Sequence, residues 1–127
     1  MKEIGIQRAI EEVSIDGTTY EIDLSDKKKN RYAEIAIDLQ KASKESEKVR
    51  DINDVEVLEK EMNRLKEKTS RATDEILGDG AFDTIYKKTN ESLELVLDVL
   101  FDVIDYINTT YKKKFEEKKA KYLKKKK

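Results

Sequence analysis

Three aspartates, Asp98, Asp102 and Asp105, recur at helix spacing along one edge of the most apolar stretch of the chain, where carboxylates could meet a hard cation. A cation site needs further carboxylates converging from a second element. None is evident, so the three read as the wet edge of their helix. Asp51, Asn53 and Asp54 look like the opening of a calcium loop, but the Gly and the bidentate Glu of such a loop do not follow at the required offsets. Gly78-Asp-Gly80 lacks the Lys and the preceding buried strand of a phosphate-binding loop. With no His and no Cys in the chain, His/Cys zinc sites, thiol and Ser-His nucleophiles, disulfides and haem ligation are removed. The expectation is a non-enzymatic protein with no cofactor and no metal.

The wet edge belongs to residues 93–107, Leu-Glu-Leu-Val-Leu-Asp-Val-Leu-Phe-Asp-Val-Ile-Asp-Tyr-Ile. Leu93, Leu97, Leu100, Ile104 and Ile107 alternate steps of four and three. Val96, Val99, Val103 and Tyr106 form a second stripe, and Leu95 and Phe101 widen the face. A membrane span needs about 20 mostly apolar residues, whereas carboxylates interrupt this run every three or four positions, so no membrane partner is expected. Each large apolar side chain gains roughly 1.5–3 kcal/mol on full burial, and no single helix covers so wide a face. A central core helix is expected, with Leu97, Leu100, Phe101, Ile104 and Ile107 at the middle of the core.

The remaining elements must supply its cover. Val13-Ser-Ile15 and Tyr20-Glu-Ile22-Asp-Leu24 alternate apolar and polar around Asp16-Gly17, which suits a type I′ turn. The pattern predicts a β-hairpin over about 11–24 with Val13, Ile15, Tyr20, Ile22 and Leu24 on one face. One of its edges stays open unless residues 1–10, which fit strand, helix or leader, cover it. Ser25 is the expected N-cap of a helix over about 26–50, whose stripe of Tyr32, Ile35, Ala36 and Leu39 fades toward Arg50. Asn53-Asp-Val-Glu56 reads as a second start with a capping box. Val55, Leu58, Met62, Leu65, Thr69, Ala72 and Ile76 then make a coiled-coil-type seam over about 54–77. Three heptads are short for a free-standing dimer, which favours a long αα-hairpin. Gly78 is expected to end the second helix in the left-handed region. Residues 81–87 form a short helix with Phe82, Ile85 and Tyr86, and Thr89 or Asn90 caps the central helix, which runs over about 90–122.

Absence of Pro and abundance of Glu, Lys, Leu and Ala favour helix throughout. The expected fold is one mainly α domain over 1–123, a helical bundle or long αα-hairpin with a short N-terminal β-hairpin, followed by a basic tail at 124–127. Charge is unevenly spread. Residues 112–127 hold ten Lys against two Glu, a net +8, so with −1 overall residues 1–111 carry −9. An acidic body repels phosphates, and nucleic acid is not expected as a partner beyond non-specific contact by the tail. A Lys run at a helix end also complements the helix dipole. The first residues lack the long apolar run of a signal peptide, which points to an intracellular protein.

The order of parts, Val13-Ser-Ile-Asp-Gly-Thr-Thr-Tyr-Glu-Ile22, then a helical body with Gly78-Asp-Gly-Ala-Phe-Asp-Thr-Ile-Tyr86, then a final long helix ending Lys121-Tyr-Leu-Lys124, resembles the tail assembly chaperones of long-tailed, siphovirus-type bacteriophages of Gram-positive hosts. The resemblance spans roughly residues 13–123 and rests on arrangement, since none of these pieces is a catalytic signature. It implies a non-enzymatic protein that binds the tape measure protein during tail morphogenesis and self-associates as a homo-oligomer. It also implies a place in the host cytoplasm and absence from the mature virion. Many members are made in short and frameshift-extended forms, to which consecutive Lys codons at 124–127 would be suited.

Surplus apolar surface is expected at the free strand edge and where the final helix continues past the reach of the other elements. Val13, Ile15, Tyr111 and Phe115 are therefore the expected partner-binding residues. Two other functions stay open: a coiled-coil structural or adaptor protein, and a small nucleic-acid-binding regulator using the basic tail.

Overall fold

The two-residue and 3.6-residue apolar periods become, in a computed structural model whose described residues are 1–125, six elements in the expected order. These are strands β1 (Ile10–Ile15) and β2 (Thr18–Asp23), then helices α1 (Asp26–Lys48), α2 (Val55–Leu77), α3 (Ala81–Lys88) and α4 (Leu93–Lys125). The protein is mainly α with one N-terminal β-hairpin. Of the expected basic tail, Lys126 and Lys127 and all four side chains lie outside the described residues.

β1 and β2 pair antiparallel with Val13 opposite Tyr20 and Ile15 opposite Thr18. Two residues connect them, Asp16 at φ 48° and Gly17 at φ 83°, the positive values a type I′ turn requires of both its central positions. Burial alternates along each strand. The anticipated face of Val13, Ile15, Tyr20, Ile22 and Leu24 lies on the helices, with Ile22 fully buried. Lys88 Nζ of α3 ties down the tip through Asp16 O (3.0 Å) and Thr18 Oγ1 (3.1 Å).

Helices α1 and α2 form the αα-hairpin. The pairs Arg31–Glu75 (2.6 Å), Asp38–Lys68 (3.2 Å) and Glu45–Arg64 (3.1 Å) step in opposite directions along the two helices, which fixes them as antiparallel. Exposed pairs of this kind contribute at most about 1 kcal/mol each, so they set register while apolar burial supplies the stability. α1 buries Tyr32, Ile35, Leu39 and Ala42 and is less covered beyond them. The seam of α2 is covered only over its second half: Leu65, Thr69, Ala72 and Ile76 are buried, but Val55 and Met62 are exposed. Thr69 and Thr73 enter the core because each hydroxyl donates to the carbonyl four residues back, at 2.7 Å, leaving no unpaired polar group.

Several helix ends differ from expectation. α1 stops at Lys48, and Ser25 stands at its N-cap without a side-chain cap bond; its N–H instead donates to Asp23 Oδ1 (2.8 Å), which holds that carboxyl below the usual range. α2 is capped by Asp54, whose Oδ1 accepts from the N–H groups of Glu56 and Val57. Glu56 is thus one position too early to close a capping box on that residue. Gly78 ends α2 at φ 109°, ψ 160°, a region essentially reserved for Gly and outside the left-handed helical one. α4 begins at Leu93 because the chain reverses through Asn90 (φ 61°) and Glu91 (φ 59°). Ser92, where Thr89 or Asn90 was expected, caps it through Oγ, which accepts from Leu95 N–H (3.3 Å).

α4 is the central element. Leu93, Val96, Leu100, Val103, Ile104 and Ile107 are buried. Leu97 and Phe101, expected at the middle of the core, are only partly buried, and Leu95 and Tyr106 are exposed. Beyond Tyr111 every side chain described is exposed. At about 1.5 Å per residue the 33-residue helix extends roughly 50 Å, so much of its second half projects from the body.

Tyr32 marks the seat of the hairpin on α1: it is buried, and its hydroxyl donates to Asp23 O at 2.7 Å. Burial pushes its phenol up to about 12, with Asp23 adding to the effect. An unfolded Tyr loses its proton near pH 10. Between pH 10 and 12 the folded chain therefore holds a proton that the unfolded chain has released, so stability present below pH 10 falls as pH rises through that window. Urea unfolding at pH 9 and pH 11.5 should show this loss, and Tyr32→Phe should lose less between the two than the parent. Equal losses would mean that Tyr32 is not buried as described.

Candidate interaction surfaces

The carboxylates that could do chemistry are accounted for by local structure. Asp98, Asp102 and Asp105 are exposed along α4, Asp54 is committed to a helix cap, and among the described residues no three or more His, Cys, Asp or Glu side chains are gathered to hold a metal. No helix of the described residues is long and apolar enough to cross a membrane. Among the described residues the fold leaves apolar area uncovered on its surface, and three stretches of it lie beside or on α4.

One is a groove of about 500 Å³ between the outer edge of β1 and α4, walled by Glu12, Val13, Ser14 and Ile15 on the strand and by Val99, Asp102, Val103 and Tyr106 on the helix. Its geometry follows from the helix period: Val99, Val103 and Tyr106 recur at four and three and face the strand together. Tyr106 Oη donates to Glu11 Oε1 (2.8 Å), and Lys114 Nζ stands 3.9 Å from the other Glu11 oxygen. These contacts hold the strand against α4 at one end of the groove. The hydrogen bond to Glu11 also raises the Tyr106 phenol.

A second groove of about 290 Å³ lies where the αα-hairpin meets the start of α4, among Ser46, Arg50, Met62, Leu65, Leu97 and Phe101. It is the unclosed half of the α2 seam. The third surface is the projecting part of α4, where Phe115 (68% exposed), Tyr122 and Leu123 stand among Lys side chains.

The four residues expected to bind partners are not gathered in one place. Val13 and Ile15 line the strand groove together, half-buried, and Phe115 lies on the projecting helix. Tyr111 is not beyond the reach of the other elements. It packs on the core, lies 5.0 Å under Lys29 Nζ, and has its phenol raised by burial and then by Asp23 and Asp26. The apolar spacing assigns Val99, Val103 and Tyr106 to the core face; Val103 is buried there, while Val99 is half-buried and Tyr106 exposed, and the three form the helix wall of the strand groove. The extra width of the apolar face was the signal for them.

A model of a protein family matches residues 16–127. Its description is a family of unknown function, DUF6673. The chain belongs to this family. The part matching DUF6673 begins at the hairpin turn, so β1 and the residues before it lie outside the matched range. No curated protein and no solved structure matches the chain.

Proposed function

We propose that this member of DUF6673 is a non-enzymatic tail assembly chaperone of a long-tailed phage, which binds the tape measure protein and self-associates in the host cytoplasm before the virion is complete. The observation that carries the reading is uncovered apolar surface on an acidic body: two grooves flank the central helix, one beside an open strand edge and one beside an unclosed helical seam. A tape measure protein is long, helical and rich in apolar seams. A groove among three helices suits one turn face of such a helix, and a strand edge suits an extended segment. The order of hairpin, Gly78–Tyr86 turn and long final helix supports the same reading by resemblance.

An adaptor that dimerises through the α2 seam is less well supported, since Leu65, Thr69, Ala72 and Ile76 are already buried within the chain. A nucleic-acid-binding role has one feature in its favour, the exposed Lys112, Lys113, Lys114, Lys118, Lys119 and Lys121 on the projecting helix, and predicts binding that weakens steeply with salt.

Pull-down of the tape measure protein co-expressed with this chain tests the proposal. The parent should retain it, and Val13→Asp and Phe115→Asp should each weaken retention by about tenfold or more, equivalent to roughly 1.4 kcal/mol. Equal retention by both variants would remove these surfaces as the contact, and no retention by the parent would remove the function.

A further inference from the structure

We propose that residues 1–7 of one copy of this chain add as a strand to the outer edge of β1 in another copy, seating Ile4 and Ile6 in the groove between β1 and α4. The inference rests on the self-association in the proposed function and says which surfaces make it; it does not depend on the tape measure protein. The edge is chemically open. Leu24 N–H donates to Ala9 O at 2.8 Å, which makes Ala9 and Leu24 a hydrogen-bonded pair. By the alternation of an antiparallel ladder, the pairs Glu11–Ile22, Val13–Tyr20 and Ile15–Thr18 are hydrogen-bonded as well. Glu12 and Ser14 then direct their N–H and C=O groups, and Ile10 its C=O, outward along the groove, where an added strand would receive them.

The first residues have the form of the missing strand. They carry no regular structure and are exposed throughout, with Ile4 at 77% and Ile6 at 93%. Two isoleucines at i and i+2 share a face of an extended chain, and they match Val13 and Ile15 at the same spacing on the groove wall. Seven extended residues span about 23 Å against about 20 Å for the six of β1. The charges also complement: Lys2 and Arg8 flank the pair of isoleucines, while Glu12 and Asp102 stand on the groove. The chain does not place this arm on its own edge. A three-residue turn about Ala9, with Ile10 N–H donating to Arg8 O at 2.9 Å, would set Ile6 beside Glu12 and Ile4 beside Ser14 if the arm folded back on its own edge, which puts both isoleucines on the exposed face and not in the groove. A second copy is therefore the occupant, whether two copies exchange arms or each passes its arm onward.

Ser14 lies between Val13 and Ile15, and Gly5 lies between Ile4 and Ile6, so either strand direction brings positions 5 and 14 side by side. A side-chain atom at Gly5 meets nothing within 4 Å, and the chain has no cysteine of its own. A mixture of the Gly5→Cys and Ser14→Cys chains under mild oxidation should give a covalent dimer. Adding Ile4→Asp and Ile6→Asp to the Gly5→Cys chain should cut the yield by about tenfold or more, and should weaken association of the otherwise unmodified chain to a similar degree by light scattering. Circular dichroism should be unchanged, because the arm does not pack on its own body. A parent that stays monomeric to millimolar concentration overturns this proposal together with the self-association it rests on. A parent that associates while cross-linking and mass are indifferent to the two aspartates overturns the arm assignment alone. So does an intramolecular disulfide in a chain carrying both cysteines at dilution, which would place the arm on its own edge.

Discussion

Leu100→Ala is expected to lower the unfolding free energy by about 2–5 kcal/mol. Leu100 is 1% exposed and sits midway along the buried face of α4, between Val96 and Ile104. Truncating it removes apolar surface that folding takes out of water and leaves a cavity walled by more than one element, which cannot all move in to fill it. The control is on the same helix. Leu95 is 49% exposed, so Leu95→Ala should change stability by no more than about 0.5 kcal/mol. Urea unfolding of both variants measures the difference. Equal and small losses would mean that the centre of the core is not where α4 places it.

Gly17→Val is expected to cost about 1–3 kcal/mol and to unpair the hairpin while leaving the helices folded. The residue has φ 83°, where a β-branched side chain is a steric outlier. No neighbour crowds the position, since an added Cβ meets nothing within 4 Å; the cost is in the backbone alone. Relaxing it would reset the type I′ turn and pull Asp16 and Thr18 away from Lys88. Loss of amide protection across residues 10–23 with retained helical circular dichroism is the expected pattern. Undiminished protection would show that the turn does not depend on positive φ at this position.

Much of the architecture was legible because its signals are local. The alternation around Asp16-Gly17 placed the hairpin and its buried face, and the three-four spacing of residues 93–107 placed the central helix. The helix ends were less so, because several Ser, Asp, Thr and Asn residues compete at each boundary and only the path of the chain selects among them. Asp54 caps α2 and Ser92 caps α4, each within a few residues of other side chains able to do the same. The candidate site was partly legible. An open edge at Val13 and Ile15 follows from a lone hairpin, but the wall that turns that edge into a groove is built from Val99, Val103 and Tyr106. Their period is that of any core residue, and only tertiary packing decides which residues of a wide apolar face stay covered, as Val103 does, and which do not, as Tyr106 does not. Leu97 and Phe101 are only partly buried for the same reason, since the α2 seam closes over its second half alone.

Whether this chain acts as a chaperone is decided by the partition of the tape measure protein between soluble and insoluble fractions when it is expressed with and without this chain. Alone, the tape measure protein should aggregate; co-expression should move most of it into the soluble fraction as a complex, with the shift reduced by Val13→Asp or Phe115→Asp. A tape measure protein that stays insoluble beside abundant, folded parent chain would contradict a chaperone role.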